Sequence, residues 1–277
     1  MSQKNIGIIG FGNMGTAIAG RLNSTYKIYV FDKDKNKLRD LKNAEATQSA
    51  RDLADKSEVI ILAVKPQDLD PVLREIKGAL KDKLVISIAA GISTRYLEKA
   101  LGAIRIIRAM PNIGMKIGDS VTCFCKGSFA TSDDLDFSQE LFYSLGVARE
   151  VEEKMMNAVT AISGSGPGYA FDFIEGNSLD PKNIPEHARH DMMRRLEQAA
   201  IAVGFNQEEA AFLAANTVNV SIELLKKTGL PPGELKKQVA SKGGTTEAGL
   251  AVLNKGGSWE EAAEAALKRA AELEKRG

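Results

Sequence analysis

Ile6-Gly7-Ile8-Ile9-Gly10-Phe11-Gly12-Asn13-Met14-Gly15 is the stretch on which the fold of this chain turns. An apolar run of strand character enters three glycines in G-x-G-x-x-G spacing, and a helix pattern from Thr16 to Leu22 follows. In that context each glycine has its own task. Gly10 permits a tight turn, Gly12 lets the backbone approach a pyrophosphate, and Gly15 lets the helix pack closely on the strand. Phe11, Asn13 and Met14 complete the expected cofactor loop, and the first helical N–H groups then face the phosphates. The alternative is a glycine-rich β-α turn without a ligand.

Outward from the fingerprint, a second short strand ends at Asp32, where a carboxylate can accept hydrogen bonds from both adenine-ribose hydroxyls. The same charge would repel a 2′-phosphate, so the residues favour NADH over NADPH, although Lys33 and Lys35 are near enough to swing toward a phosphate. Asp32 could instead cap a helix starting near Asp34. Ala63-Val64-Lys65-Pro66-Gln67 follows the third main strand on the edge where open α/β sheets hold ligands. Lys65 could touch a phosphate or ribose there, or be a surface lysine. Ala89-Ala90-Gly91 and Met110-Pro111-Asn112 end later strands on that edge, and the small residues at 89–91 leave room for a nicotinamide ring.

Strand-like runs at Ile6–Ile9, Lys27–Phe31, Val59–Val64, Leu84–Ile88, Ile104–Ala109 and Val121–Cys125 alternate with amphipathic helical segments through about residue 101. That alternation predicts an α/β, doubly wound Rossmann sheet. The last two runs lie close together and are expected as antiparallel edge strands. A helix near Asp133–Leu145 and a short run near Val147–Val151 close this unit. From Glu152 the pattern changes to alanine-rich helices: Glu153–Ile162, Pro167–Glu175, Glu186–Val203, Gln207–Lys227, Pro232–Val239, Thr246–Leu253 and Trp259–Lys275. The expected division is a dinucleotide-binding domain over 1–151 and an all-helical domain over 152–277.

With 277 residues, 44% of them apolar, the chain can bury a sizeable core. A formal net charge of +1, without charge blocks, argues against a nucleic-acid surface. No apolar run is long enough to span a bilayer, and no signal peptide is evident. Cys123 and Cys125, two apart in a strand-like run, suit neither a mutual disulfide nor a zinc site, so the expectation is a cytoplasmic protein with reduced thiols and no metal.

Two segments of the helical region point to a substrate. Ile162-Ser163-Gly164-Ser165-Gly166-Pro167-Gly168 and Ser241-Lys242-Gly243-Gly244-Thr245-Thr246 each read as a loop before a helix, offering hydroxyls and free backbone N–H groups at a helix N-terminus. Two or three such donors, each worth about 1.5–3 kcal/mol to a charged group, could hold a carboxylate without an arginine. Each segment alone could be a helix cap. The only two histidines, His187 and His190, lie away from both segments in sequence, which speaks against a histidine acid/base. A protonated imine could be reduced with only a hydroxyl to orient it.

These residues resemble the pyrroline-5-carboxylate reductase family from Ile6 to about Leu253. The marks are the fingerprint with Met14, Ala63-Val64-Lys65-Pro66-Gln67, Arg108-Ala109-Met110-Pro111-Asn112, Ser163-Gly164-Ser165-Gly166-Pro167 and Ser241-x-Gly243-Gly244-Thr245-Thr246. The resemblance implies reduction of 1-pyrroline-5-carboxylate to L-proline with NAD(P)H. It also implies a helical dimerisation domain whose helices interlock, a homodimer or higher homo-oligomer, and active sites shared between chains. It puts Ser241, Gly244, Thr245 and Thr246 on the substrate carboxylate, Thr246 also near the imine nitrogen, Ser163 and Ser165 on the floor of the site, and Asn112 and Ala90 by the nicotinamide. The chain departs from the family at Lys242, where proline is usual, and at Asp172 and Gly176. The stretch from Asn177 to about Arg195 also looks inserted into what would be one long helix. Asn177–Pro185 has turn chemistry and Pro185-Glu186 starts a helix, on which His187 and His190 with Asp191 or Glu186 read as solvated surface rather than as a metal site.

Other readings are a β-hydroxyacid-dehydrogenase-like oxidoreductase, which places a lysine where this chain has Ala170, and a non-catalytic dinucleotide-binding or interaction protein on the same scaffold.

Overall fold

Eight strands form one sheet in the order β3-β2-β1-β4-β5-β6-β7-β8 in the computed structural model, which describes residues 4–274. The strands are β1 (Asn5–Ile9), β2 (Lys27–Phe31), β3 (Glu45–Ala46), β4 (Val59–Leu62), β5 (Leu84–Ser87), β6 (Arg105–Met110), β7 (Ser120–Lys126) and β8 (Gly146–Glu150). Their connections carry α1 (Asn13–Leu22), α2 (Ala50–Lys56), α3 (Leu69–Ile76), α4 (Thr94–Leu101) and α5 (Ser132–Tyr143). The central strands are apolar on both faces, as a sheet covered by helices on both sides requires: every residue of β4 and β5 is buried. β1 pairs in parallel with β2 and β4, which places the reversal of strand order beside the fingerprint.

The expectation of two antiparallel edge strands needs correcting. β6 runs parallel to β5, with Leu84 opposite Arg105, and only β7 is antiparallel to β6, with Met110 opposite Cys123. The chain between β6 and β7 is too short for a crossover helix, which forces the antiparallel return there and leaves β8 at the edge. The two-residue β3 carries no apolar alternation and was not anticipated.

Two compact units emerge. Among the described residues one comprises 4–110 with Cys123–Glu153; the other comprises Pro111–Thr122 with 154–274. A single cut at 151/152 therefore misses the excursion at 111–122. The second unit holds α6 (Met156–Val159), α7 (Gly166–Gly176), α8 (Glu186–Ala202), α9 (Gln207–Thr228), α10 (Pro232–Val239), α11 (Thr245–Leu253) and α12 (Trp259–Glu274). Lys275, the expected end of the last helix, lies outside the described residues. α7 ends at Gly176 and α8 starts at Glu186, so the stretch that looked inserted is a reversal plus the first half of a new helix.

The Ser163-Gly164-Ser165 segment is not a loop. Thr160–Gly164 is a π-helical segment joining α6 to α7, and the Ser165 amide bonds back to the carbonyl of Thr160 at 3.0 Å. Such bulges widen a helix locally and turn side chains out of register.

Candidate active site

The nucleotide side is built at the carboxyl ends of β1, β2 and β4. Gly10 turns the chain at φ +100, and a Cβ there would lie 2.7 Å from the backbone of Ala63. At Gly15 a Cβ would lie 2.0 Å from the Gly10 carbonyl oxygen, so glycine is needed for α1 to approach the loop. Gly12 differs. It is the N-cap of α1, no side chain caps the helix there, and a Cβ would meet nothing within 4 Å. The first amide to bond back is that of Thr16, to the Gly12 carbonyl, which leaves the amides of Asn13, Met14 and Gly15 at the positive end of α1. Open space over an uncapped helix start fits a pyrophosphate.

Beside it lies a cleft of about 460 Å³ whose walls include Gly10, Gly12, Asp32, Ala63, Val64 and Lys65. Of the other residues expected at the cofactor, Phe11, Asn13, Met14 and Gly15 continue the loop and α1, and Pro66 opens the 3₁₀ turn Pro66–Asp68, without lining the cleft. Ala90 and Asn112 do not line it either; Ala90 is exposed past the end of β5, before Gly91 at φ +72.

Asp32 is 7% exposed and fully engaged. Its oxygens accept from the amides of Phe11 and Asp34, each at 2.8 Å, and from Lys37 Nζ at 3.0 and 3.2 Å. Burial alone would raise its pKa, but those amides and the ammonium outweigh burial and hold the carboxyl below its ordinary value. Asp32 is thus not a helix cap; Asp34 performs that task, accepting from the Asn36 amide at 3.0 Å. Sequence reasoning named Lys33 and Lys35 but missed Lys37. Lys33 pairs with Asp68 at 2.6 Å, whereas one 3₁₀ turn after Asp34 brings Lys37 back to Asp32. A short turn after a strand-ending aspartate was the available signal.

On the helical unit, hydroxyls converge from α11 and the start of α7. Ser165 Oγ donates to the Thr160 carbonyl at 3.1 Å, accepts from Thr246 Oγ1 at 3.2 Å and lies 3.0 Å from Thr245 Oγ1. With the Ser165 proton committed to Thr160, both threonines donate to Ser165, and their remaining lone pairs are acceptors. Thr246 is 4% exposed and Ser165 is buried. Ser163 takes no part in this cluster; it donates to the Val121 carbonyl at 3.2 Å.

The 241–246 loop offers fewer donors than expected. The Gly243 amide bonds the Glu247 carboxylate at 2.6 Å and the Gly244 amide bonds the Ser241 carbonyl at 2.9 Å. The first amide of α11 to bond back is that of Ala248, to Gly244, leaving those of Thr245, Thr246 and Glu247 at the helix start. Gly244 is the N-cap, and Lys242 is exposed. An arginine is present after all: Arg269 of α12 donates to the Gly243 carbonyl at 2.7 Å, fixing the loop from beneath. Nothing in the sequence between Gly243 and Arg269 announces that contact.

Asn112, 2% exposed, accepts with Oδ1 from the amides of Gly114 and Val121 at 3.0 and 3.1 Å, while its Nδ2 has no partner. A buried unpaired amide N–H₂ is costly and fits a donor held ready for a ligand. His190 forms an exposed pair with Glu186 at 3.3 Å, and among the described residues no group of three or more His, Cys, Asp or Glu side chains could hold a metal. Ala170 is buried in α7; the lysine that reaches this helix, Lys236, pairs with Asp172 at 3.0 Å and with Glu175.

Residues 5–91 match the family described as NADP oxidoreductase, coenzyme F420-dependent, and residues 190–275 match pyrroline-5-carboxylate reductase dimerisation. The chain is 36% identical to pyrroline-5-carboxylate reductase of Synechocystis sp., covering 98% of each chain. It is 34% identical to that of Methanosarcina acetivorans, covering 93% of this chain and 92% of the relative. Among solved structures, pyrroline carboxylate reductase of Plasmodium falciparum with NADP bound has a TM-score of 0.66 at 29% identity, over 99% of each chain. The Coxiella burnetii enzyme has 0.65 at 31%, over 98% of this chain and 99% of that one.

Proposed function

The chain belongs to the pyrroline-5-carboxylate reductase family, and on that premise we propose that it reduces 1-pyrroline-5-carboxylate to L-proline with NAD(P)H, the last step of proline biosynthesis. The observation that carries this reading is the Ser165–Thr245–Thr246 hydroxyl cluster at the start of α11, in a chain that also carries an uncapped fingerprint helix.

The bound dihydronicotinamide supplies the hydride. The α1 amides would hold the pyrophosphate, with Lys65 along the same cleft; the family resemblance assigns Ala90 and Asn112 to the nicotinamide, and the Asn112 Nδ2 is a donor without a partner. On the substrate side, the amides of Thr245, Thr246 and Glu247 take the carboxylate, aided by the positive end of α11, with Ser241 and Gly244 shaping the turn. Thr246 gives its own proton to Ser165 and so offers lone pairs to the N–H of a protonated imine. No histidine or lysine is required for that arrangement. Ser163 holds the floor through Val121.

Asp32 supports a preference for NADH, because the carboxylate is held in its charged form and lines the cleft in which the ribose would lie. Lys37 tempers the preference, since it neutralises Asp32 and could turn to a 2′-phosphate. The dimerisation match over 190–275 supports a homo-oligomer acting on a small cyclic imine carboxylate, with sites shared between chains as the family expectation. No helix among the described residues is long and apolar enough to cross a membrane, and the burial of Cys123 and Cys125 outside any disulfide is in keeping with a cytoplasmic setting.

Steady-state kinetics of the purified protein with 1-pyrroline-5-carboxylate test the reading. Turnover with both cofactors, with the higher kcat/KM for NADH, is the expected result. Oxidation of neither NADH nor NADPH would refute the assignment.

A further inference from the structure

Lys242-Gly243-Gly244, at the entrance of α11, has little restraint of its own: an exposed lysine precedes two glycines, the first at φ +69. The Gly243–Gly244 peptide is nevertheless held at both ends. Its carbonyl oxygen accepts from Arg269 Nε at 2.7 Å, and its N–H, that of Gly244, donates to the Ser241 carbonyl at 2.9 Å. The preceding N–H, that of Gly243, is taken by the Glu247 carboxylate at 2.6 Å. Of these three partners only Arg269 comes from another element.

Arg269 stands on a rigid support. α12 buries Trp259, Ala262, Ala263, Ala266 and Ala270 at helical spacing, and α11 packs on this helix. The Trp259 ring meets Tyr169 and Phe173 of α7 edge-on, at centroid distances of 5.9 and 6.3 Å, which fixes the start of α12. About ten residues, or about 15 Å, further along the helix, Arg269 emerges beside Ala270 with its side chain partly exposed. Its Nη1 pairs with Glu272 at 2.9 Å, and its Nη2 lies against Gly243, where a Cβ would stand 3.4 Å from it. The guanidinium is thereby held in one orientation, with Nε aimed at the Gly243 carbonyl.

A peptide unit between two glycines can flip its plane, because neither neighbour carries a Cβ to oppose the turn. In the observed orientation the oxygen faces Arg269. The flipped one directs it into the loop instead, against the Ser241 carbonyl, and adds a negative dipole beside the amides of Thr245, Thr246 and Glu247. A carboxylate at the start of α11 is then opposed rather than received. We infer that Arg269 is a positioning residue for this anion site: by holding the Gly243 carbonyl it selects the form of the loop whose helix-start amides receive the substrate carboxylate. In this role it touches the peptide and not the substrate, and Glu272 offsets part of its charge. The inference rests on the reading of the α11 start as the carboxylate site.

Arg269→Met removes the donor and keeps an unbranched stem. In steady-state kinetics KM for 1-pyrroline-5-carboxylate should rise about tenfold or more, the size of one hydrogen bond to a charged group, with kcat within about twofold and KM for NADH unchanged. Arg269→Lys, which keeps a cationic donor, should stay within about threefold of wild type. An unchanged substrate KM in Arg269→Met, a loss confined to kcat, or equal losses in the Met and Lys variants would overturn the inference. Hydrogen exchange followed by mass spectrometry reads the loop without any turnover. Peptides covering Gly243 and Gly244 should exchange about tenfold faster in Arg269→Met than in wild type, while those of α12 keep their protection. Unchanged exchange would also overturn the inference. If Arg269→Met does not fold, Arg269→Gln, which shortens the reach to Gly243 and keeps the position polar, takes both measurements. If wild type turns over no imine, the reductase reading fails; the hold on the loop is then judged by exchange alone, faster exchange supporting it and unchanged exchange overturning it.

Discussion

Asp32 joins three parts of the nucleotide side at once: the glycine loop through the Phe11 amide, the following turn through the Asp34 amide, and Lys37. Because these partners favour the charged form over the opposing effect of burial, its folded pKa lies below the ordinary 3.8. Its contribution to stability is therefore present above that ordinary value and is lost as pH falls through the lowered one. Asp32→Asn should cost about 1–3 kcal/mol near neutral pH, with the difference from wild type shrinking below about pH 4, as measured by urea unfolding across pH. At Thr246 the expected effect falls on turnover. Thr246→Val removes one hydrogen bond to Ser165, so the thermal midpoint should fall by a few degrees at about 1 kcal/mol, whereas kcat/KM should fall at least about tenfold. Wild-type kinetics in that variant would remove Thr246 from the site. The type and spacing of Asp32, Ser165 and Thr246 were legible in the sequence. Lys37 and Arg269 were not, because a lysine or arginine acquires its meaning from the partner that the fold brings to it.

In α1 the fingerprint glycines separate into packing and ligand roles. Gly15→Ala would drive a Cβ into the Gly10 carbonyl and should destabilise the fold by about 2 kcal/mol or more. Gly12→Ala meets only open space, so calorimetry should show near-wild-type folding, and titration with NADH should show affinity reduced by about tenfold or more. Equal effects at the two positions would contradict this division. At the end of α7, Ser178 holds the left-handed position that glycine occupies at lower cost. Ser178→Gly should stabilise the protein by about 1 kcal/mol, seen as a higher urea midpoint with unchanged kinetics. The helix start at Pro185-Glu186 was readable from local chemistry. The π segment at Thr160–Gly164 was not: glycine and serine suggest a loop, and only packing on α9 and α12 keeps that segment helical.

For the molecule as a whole, sites shared between chains, the family expectation, predict that specific activity per chain falls on dilution as the oligomer dissociates. Constant activity per chain alongside a falling mass in light scattering would argue for sites completed within one chain. Periodicity and the glycine spacing determined by themselves that a doubly wound sheet binds a dinucleotide and is followed by helices, because strand and helix periods and backbone freedom at glycine are local properties. The paired serine and threonine segments pointed to a carboxylate, and the family resemblance they help to carry supplied the imine. Only the tertiary structure decided that 111–122 joins the helical unit, that Lys37 neutralises Asp32, and that α8 packs on α9. Each of these depends on contacts between segments far apart or across a turn, whose free energy comes from burying surfaces against one another and leaves no mark in the sequence of either partner.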